Sequence, residues 1–165
     1  MVKKKISTQK VNPNISLKAR LARIEDEKLL LSWVNDPLVR VNALKTNIIS
    51  KDTHHIWFNS RLQNSKSCKI LIIENEKEKP IGQVRIEKKK NKWFIDLSLA
   101  KFARGKKIGS KLLKVAINKF KKMGIKVFFA EVKPENKPSC RVFEKNKFEK
   151  KINSQKNLIS FIYKK

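Results

Sequence analysis

Arg104, Gly105, Lys106, Lys107, Gly109 and Ser110 put three cations and two glycines into seven residues. Just before them, Phe94 to Leu99 alternate in the two-residue rhythm of a half-buried strand. Just after, Leu112, Leu113, Ala116, Ile117 and Phe120 fall on one helical face. A strand, a basic glycine turn and a helix start describe an anion site. The first N–H groups of a helix lack internal acceptors, and the helix dipole adds positive potential there. Glycine lets that backbone approach a phosphate closely. Pyrophosphate is the expected guest, and an ordinary basic connecting loop is the plain alternative. The spacing excludes two familiar cradles. Gly105 and Gly109 are four apart, where the nucleotide-triphosphate loop Gly-x4-Gly-Lys-Ser/Thr needs five, and no GxGxxG is present.

The elements that must position this turn are legible on both sides. Ile15 to Arg23 reads as a strand with Leu17, Ala19 and Leu21 on one side. Glu25 to Trp33 carries Leu29, Leu30 and Trp33 at helical spacing and stops before Asn35-Asp36-Pro37. The segment to Ser50 reads as irregular, a long connection of the kind that lines sites. Ser50 or Asp52 caps a helix to about Leu62, with Trp57, Phe58 and Leu62 inward. Strands at 68–73, 81–87 and 93–99, separated by charged turns, form an antiparallel meander. The helix from 108 to 122 ends at Gly124. A strand at 127–132, a short helix at 136–146 and two strands near 148–153 and 157–163 complete the chain. The fold class is α/β (α+β). One domain over 15–165 follows a flexible basic tail at 1–14.

With 165 residues and 40% hydrophobic composition, one packed core is expected. Net charge is +27, from 41 Lys and Arg against 14 Asp and Glu, which points to anionic partners. Only 7 of the 41 are Arg, however, and nucleic-acid readers rely on arginine for bidentate contacts. A lysine-rich composition of the whole proteome is the competing explanation. Cys68 and Cys140 are far apart and form no CxxC, so neither a disulfide framework nor a zinc site is expected. The N-terminal lysines run into polar residues, and no apolar run spans a bilayer, so a cytoplasmic protein without membrane partners is expected.

Arg104-Gly-x-x-Ile-Gly109 resembles the acetyl-CoA-binding segment of the GNAT N-acetyltransferases, Arg/Gln-x-x-Gly-x-Gly/Ala, with Lys107 at the middle glycine. The element order β, α, α, β, β, β, α, β, α, β, β is similar to that fold over nearly the whole chain. Residues 131–148 resemble the family's later segment, Asn-x-x-Ala-x-x-(apolar)-Tyr-x-x-x-Gly-Phe. Asn136, Ser139 and Phe148 match, while Phe143 replaces the tyrosine and Lys147 the glycine. Leu31 to Arg40 and Ile49 to Phe58 resemble a subgroup pattern, Trp-Arg-Asn-Asp-x-x-Val-Arg then Ile-Ser-x-x-x-His-x-x-Trp-Phe, with Val34 at the first arginine. That subgroup acetylates nucleotide-linked amino sugars. A related group, acting on ribosomal-protein N-termini and small amines, shares the weaker parts.

The resemblance implies a mixed, mostly antiparallel sheet flanked by helices, acetyl-CoA as donor, a primary amine as acceptor, no metal and a possible homodimer. It implies that Leu97, Ser98 and Leu99 pair with the pantetheine amides, with backbone N–H near Leu99 facing the oxyanion. Arg104, Gly105, Lys106, Lys107, Ile108, Gly109 and Ser110 would hold the pyrophosphate, with Asn136 and Phe143 completing the donor side. Acetyl transfer needs a neutral amine, hence a base. Glu131 occupies a position where some members carry one, its alternative being a pairing with a lysine. His54 matches the subgroup's histidine and titrates near neutrality, its alternative being a helix-surface residue. For the leaving thiolate Phe143 cannot donate, and Tyr163, the only tyrosine, lies at the far C-terminus. Asn35, Asp36, Arg40 and Trp57 are the acceptor-side candidates. Trp33, Trp57 and Phe58 could stack on a nucleobase or pack in the core.

Three functions are weighed. The first acetylates a nucleotide-linked amino sugar, whose diphosphate suits a basic surface. The second acetylates a protein N-terminus, against which the +27 charge weighs because such substrates are basic. The third is a non-enzymatic nucleic-acid-binding module on the same fold.

Overall fold

A computed structural model describes residues 15–153 and 157–164; the expected tail at 1–14 lies outside them. Seven strands form one sheet in the order β1-β2-β3-β4-β5-β7-β6. They are β1 (Leu17–Leu21), β2 (Cys68–Asn75), β3 (Pro80–Lys89), β4 (Lys92–Leu99), β5 (Val127–Val132), β6 (Glu149–Asn153) and β7 (Leu158–Lys164). All neighbours are antiparallel except β4 and β5, which are parallel. Five helices accompany them: α1 (Glu27–Val34), α2 (Pro37–Asn42), α3 (Lys51–Gln63), α4 (Ile108–Lys122) and α5 (Lys137–Lys145).

Side-chain alternation splits the sheet into two apolar faces. On one, Leu71, Ile73, Val84, Ile86, Ile95, Phe128 and Ala130 pack against the buried stripe of α4 and against Cys140 and Phe143 of α5. On the other, Cys68, Ile70, Ile72 and Ala100 pack against Leu30 and Trp33 of α1 and Phe58 of α3. Parallel strands need a long crossover, and α4 supplies it between β4 and β5. The basic glycine turn therefore sits at the C-terminal end of β4, where the crossover begins.

The meander and the crossover stand as expected, with three adjustments. Strand β1 is shorter than 15–23, and Leu21 is half exposed while Leu17 and Ala19 pack inward. The stretch between α1 and Ser50 is not wholly irregular: Asp36 caps α2 by accepting from the Leu38 N–H at 3.0 Å, with Pro37 in the first turn. His54 is not on the surface. It is 2% exposed and lies 5.8 Å from the Phe58 ring, nearly parallel to it.

Candidate active site

The turn Arg104–Lys107 enters α4 with two residues in the left-handed region, Gly105 at φ 72° and Lys107 at φ 58°. Lys107 is the residue preceding α4, and no side chain caps the helix there. The first amides of α4, at Ile108, Gly109 and Ser110, thus lack a side-chain acceptor, as an anion seat requires. Lys106 and Lys107 are exposed beside them. Gly109 has a packing reason to be glycine, because a Cβ there would meet Val142 Cγ2 at 3.0 Å. Asn146 donates to the Ser110 carbonyl at 3.1 Å and to Ser110 Oγ at 3.0 Å, tying the end of α5 to this first turn.

Beside the turn the sheet opens. The parallel register of β4 and β5 is a single pair, Phe94 with Phe129, whose rings lie 5.9 Å apart. Beyond it Leu97, Ser98 and Leu99 pair with β3 on one edge only, leaving the other edge without a strand partner. An extended chain carrying amides can pair with such an edge as another strand would. Gly82, opposite Leu99, admits no side chain, since a Cβ would stand 2.6 Å from the Ser98 carbonyl oxygen.

On the face away from α4, the residues two beyond the Phe94–Phe129 pair are Asp96 and Glu131. Asp96 stands opposite Arg85 of β3 and accepts a hydrogen bond from its guanidinium. Gln83 donates to Asp96 at 3.3 Å and to Ser98 Oγ at 3.4 Å. Arg85 also lies 5.2 Å from the Trp57 ring. Burial opposes the Arg85 charge, but Asp96 and Glu87 outweigh it and its pKa is raised. The sequence reading missed Asp96, Arg85 and Gln83. Their only signal was the polar parity of two strands whose other parity is apolar, and that pattern also reads as a solvent face.

Of the acceptor-side candidates, Asn35, Asp36 and Arg40 lie at the α1–α2 turn and in α2 with their hydrogen-bonding groups turned on the chain itself, while Trp57 stands apart on α3. Asn35 donates to the Ile49 carbonyl at 2.8 Å and accepts the Ile49 N–H at 2.9 Å. Arg40 is buried and donates to the carbonyls of Val34, Lys45 and Asn47 at 2.6–3.1 Å. Asp36 accepts from Arg104 Nη1 at 2.7 Å, which holds its carboxyl below the usual carboxylate range. Trp57 is engaged by Arg85 and by His54, 5.5 Å away. His54 sits in the apolar layer with no partner for Nδ1, and burial lowers its pKa, partly offset by Glu27. On the donor side, Asn136 caps α5 by accepting the Ser139 N–H at 3.2 Å. Phe143 is 2% exposed and packs against Phe148 and Phe161, so it presents no surface to a cofactor. Tyr163 accepts from Lys121 Nζ at 2.9 Å, on the side of α4 lined by Lys114 and Lys145.

Residues 17–149 match the family model described as an acetyltransferase (GNAT) domain. The chain belongs to the GNAT acetyltransferase family. Solved structures of the same fold include a domain from Methanocaldococcus jannaschii DSM 2661, 19% identical, covering 92% of this chain and 100% of that one with a TM-score of 0.77. A spermidine N-acetyltransferase from Vibrio cholerae, solved with CoA and spermine, is 16% identical over 89% of this chain and 94% of that one, TM-score 0.76. The aminoglycoside acetyltransferase AAC(6')-Ib, solved with coenzyme A, is 17% identical over 91% and 95%, TM-score 0.75. No curated protein sequence matches.

As a GNAT acetyltransferase the chain is an acyltransferase, with acetyl-CoA as donor and an amine as acceptor. The residues present fit that donor. The uncapped start of α4 with Lys106 and Lys107 would hold the diphosphate, and the open edge of β4 would take the amide-bearing arm. Among the described residues no group of His, Cys, Asp and Glu could hold a metal, and no helix is long and apolar enough to cross a membrane.

Proposed function

We propose that the chain acetylates a primary amine that carries a phosphate or diphosphate elsewhere in the same molecule, a nucleotide-linked amino sugar being the first class to test. The observation behind this reading is that Asp96 of β4 and Glu131 of β5 each stand two residues beyond the Phe94–Phe129 pair, on the face away from α4, where the two strands part. Asp96 is already paired with Arg85, so Glu131 is the carboxylate that favours an ammonium there, while the net charge of +27 favours an anionic remainder. Glu131 acts as the base, directly or through water. Backbone N–H near Leu99 faces the developing oxyanion. Acetyl-CoA supplies the acyl thioester: the amine nitrogen bonds to the carbonyl carbon, the C–S bond breaks, and the amine proton leaves through Glu131. With Phe143 at the family's tyrosine, the thiolate takes its proton from water; a thiol of pKa about 8.5 leaves tolerably as the anion.

The Glu131 carboxylate also suits a second reading, a polyamine or other small polycation. The Vibrio cholerae relative is named for spermidine, and another for aminoglycosides. A thiol-release assay with acetyl-CoA separates the readings, run across UDP-linked amino sugars, spermidine and a basic peptide. Turnover at least tenfold faster with the UDP-linked amines supports the first reading. Preference for spermidine replaces it with the second, and preference for the peptide contradicts both. A dimer is expected by sedimentation.

A further inference from the structure

Arg104 opens the donor turn and is the residue its sequence would assign to the pyrophosphate. Its guanidinium is already committed. Nε donates to the Leu99 carbonyl at 3.0 Å and Nη1 to Asp36 at 2.7 Å. Nη2 has no partner and is closed off from solvent. Asp36, 68 residues earlier, uses the same Oδ1 to cap α2, and its neighbour Asn35 holds Ile49 at the approach to α3. One side chain therefore ties the last residue of β4, whose open edge receives the donor's arm, to the turn that carries the acceptor-side elements.

We infer that Arg104 is a positioning strut between the acceptor wall and the end of β4, and that the diphosphate is held without it. The α4 amides and Lys106 and Lys107 take the diphosphate, while the Arg104–Asp36 pair sets the strand edge on which the pantetheine lies. The inference rests on acetyl-CoA being the donor. A phosphate clamp and a strut predict opposite patterns when the donor is divided into its nucleotide half and its acyl arm. For the nucleotide half the probe is adenosine 3′-phosphate 5′-diphosphate, which has the diphosphate but no pantetheine.

Calorimetric titration of wild type, Arg104→Ala, Asp36→Asn and the double variant with both probes decides between them. The strut predicts that each single variant binds acetyl-CoA about tenfold more weakly, a loss of about 1.4 kcal/mol. The double variant binds no more weakly than either single one, because both remove the same link. Affinity for the nucleotide half stays within about twofold in all four proteins. A structural defect of the donor turn would not spare that probe. Arg104→Lys retains the ion pair but loses the Leu99 bond, and is expected between wild type and Arg104→Ala; if Arg104→Ala does not fold, this variant and Asp36→Asn carry the test. Loss of the nucleotide half on Arg104→Ala or Arg104→Lys, or tighter acetyl-CoA binding by Asp36→Asn, overturns the strut in favour of a clamp. Wild type that binds neither probe overturns the donor assignment itself.

Discussion

Lys147→Gly is expected to stabilise the protein, and the chain contains its own control. Helix α5 ends with the Phe148 N–H donating to the Phe143 carbonyl at 3.2 Å and the Lys147 N–H to that of Glu144 at 3.0 Å. Helix α4 ends with the Ile125 N–H donating to the Phe120 carbonyl at 3.1 Å and the Gly124 N–H to that of Lys121 at 2.9 Å. The two ends have the same Schellman geometry, which requires a left-handed residue after the C-cap. That residue is Gly124 at φ 85° in one case and Lys147 at φ 64° in the other. A left-handed L-residue costs roughly 1–2 kcal/mol. Glycine removes that cost but has more unfolded freedom to lose, about 0.5–1 kcal/mol. Lys147 is exposed, so its removal leaves no cavity. The net gain is about 0.5–1 kcal/mol, or roughly 1–4 °C in Tm for a domain of this size. At Gly124 a Cβ would meet nothing within 4 Å, so Gly124→Lys is expected to lose a similar amount from backbone strain alone. Urea denaturation at equal m-value measures both. A Lys147→Gly protein that is no more stable than wild type, beside a destabilised Gly124→Lys, would refute the conformational argument and show that the lysine side chain itself holds the α5 terminus.

Three further outcomes follow from the site and its supports. Glu131→Gln is expected to lower kcat by about 10²–10⁴ with acetyl-CoA affinity unchanged; steady-state thiol release and calorimetric titration measure the two. Because burial lowers the folded pKa of His54 below the ordinary 6.5, the unfolded state binds more protons as pH falls. Stability is then full above pH 6.5 and declines between that value and the folded pKa, by at most about 1.4 kcal/mol per pH unit. His54→Phe, stacked in the same layer, flattens the pH dependence of the urea midpoint; an unchanged slope contradicts the assignment. Gly82→Ala drives a methyl against the Ser98 carbonyl at 2.6 Å and Leu112 at 2.7 Å, and is expected to cost about 1–3 kcal/mol and to weaken acetyl-CoA binding by shifting β4.

The strand, turn and helix around Arg104 were legible in sequence because their signals are local. A strand rhythm, a basic glycine turn and an apolar helical stripe follow one another without a break from Phe94 to Phe120, and each appears in the fold. The acceptor side was not, for two physical reasons. Polar residues of the α1–α2 region announce hydrogen bonding without announcing its partner; Asn35 and Arg40 bond to backbone carbonyls, which every sequence contains. That Asp96 and Glu131 lie on one face follows only from the Phe94–Phe129 register, across a crossover helix that no local pattern counts. The burial of the candidate base His54 was not legible because α3 is polar on most of its surface, and only Phe58, one turn on, marks the buried line that His54 shares. Helix α2 escaped because Asp36-Pro37 ends one helix and starts the next, and six residues are too few to show a period.

Titration of the purified chain with acetyl-CoA at moderate salt, followed by calorimetry, tests most directly whether the α4 start and the β4 edge form the donor site. One saturable site of micromolar affinity, weakened by Lys106→Ala combined with Lys107→Ala, is the predicted result. No saturable heat with acetyl-CoA, beside tight and salt-sensitive binding of a mixed-sequence RNA, would contradict it and make the basic turn a nucleic-acid contact.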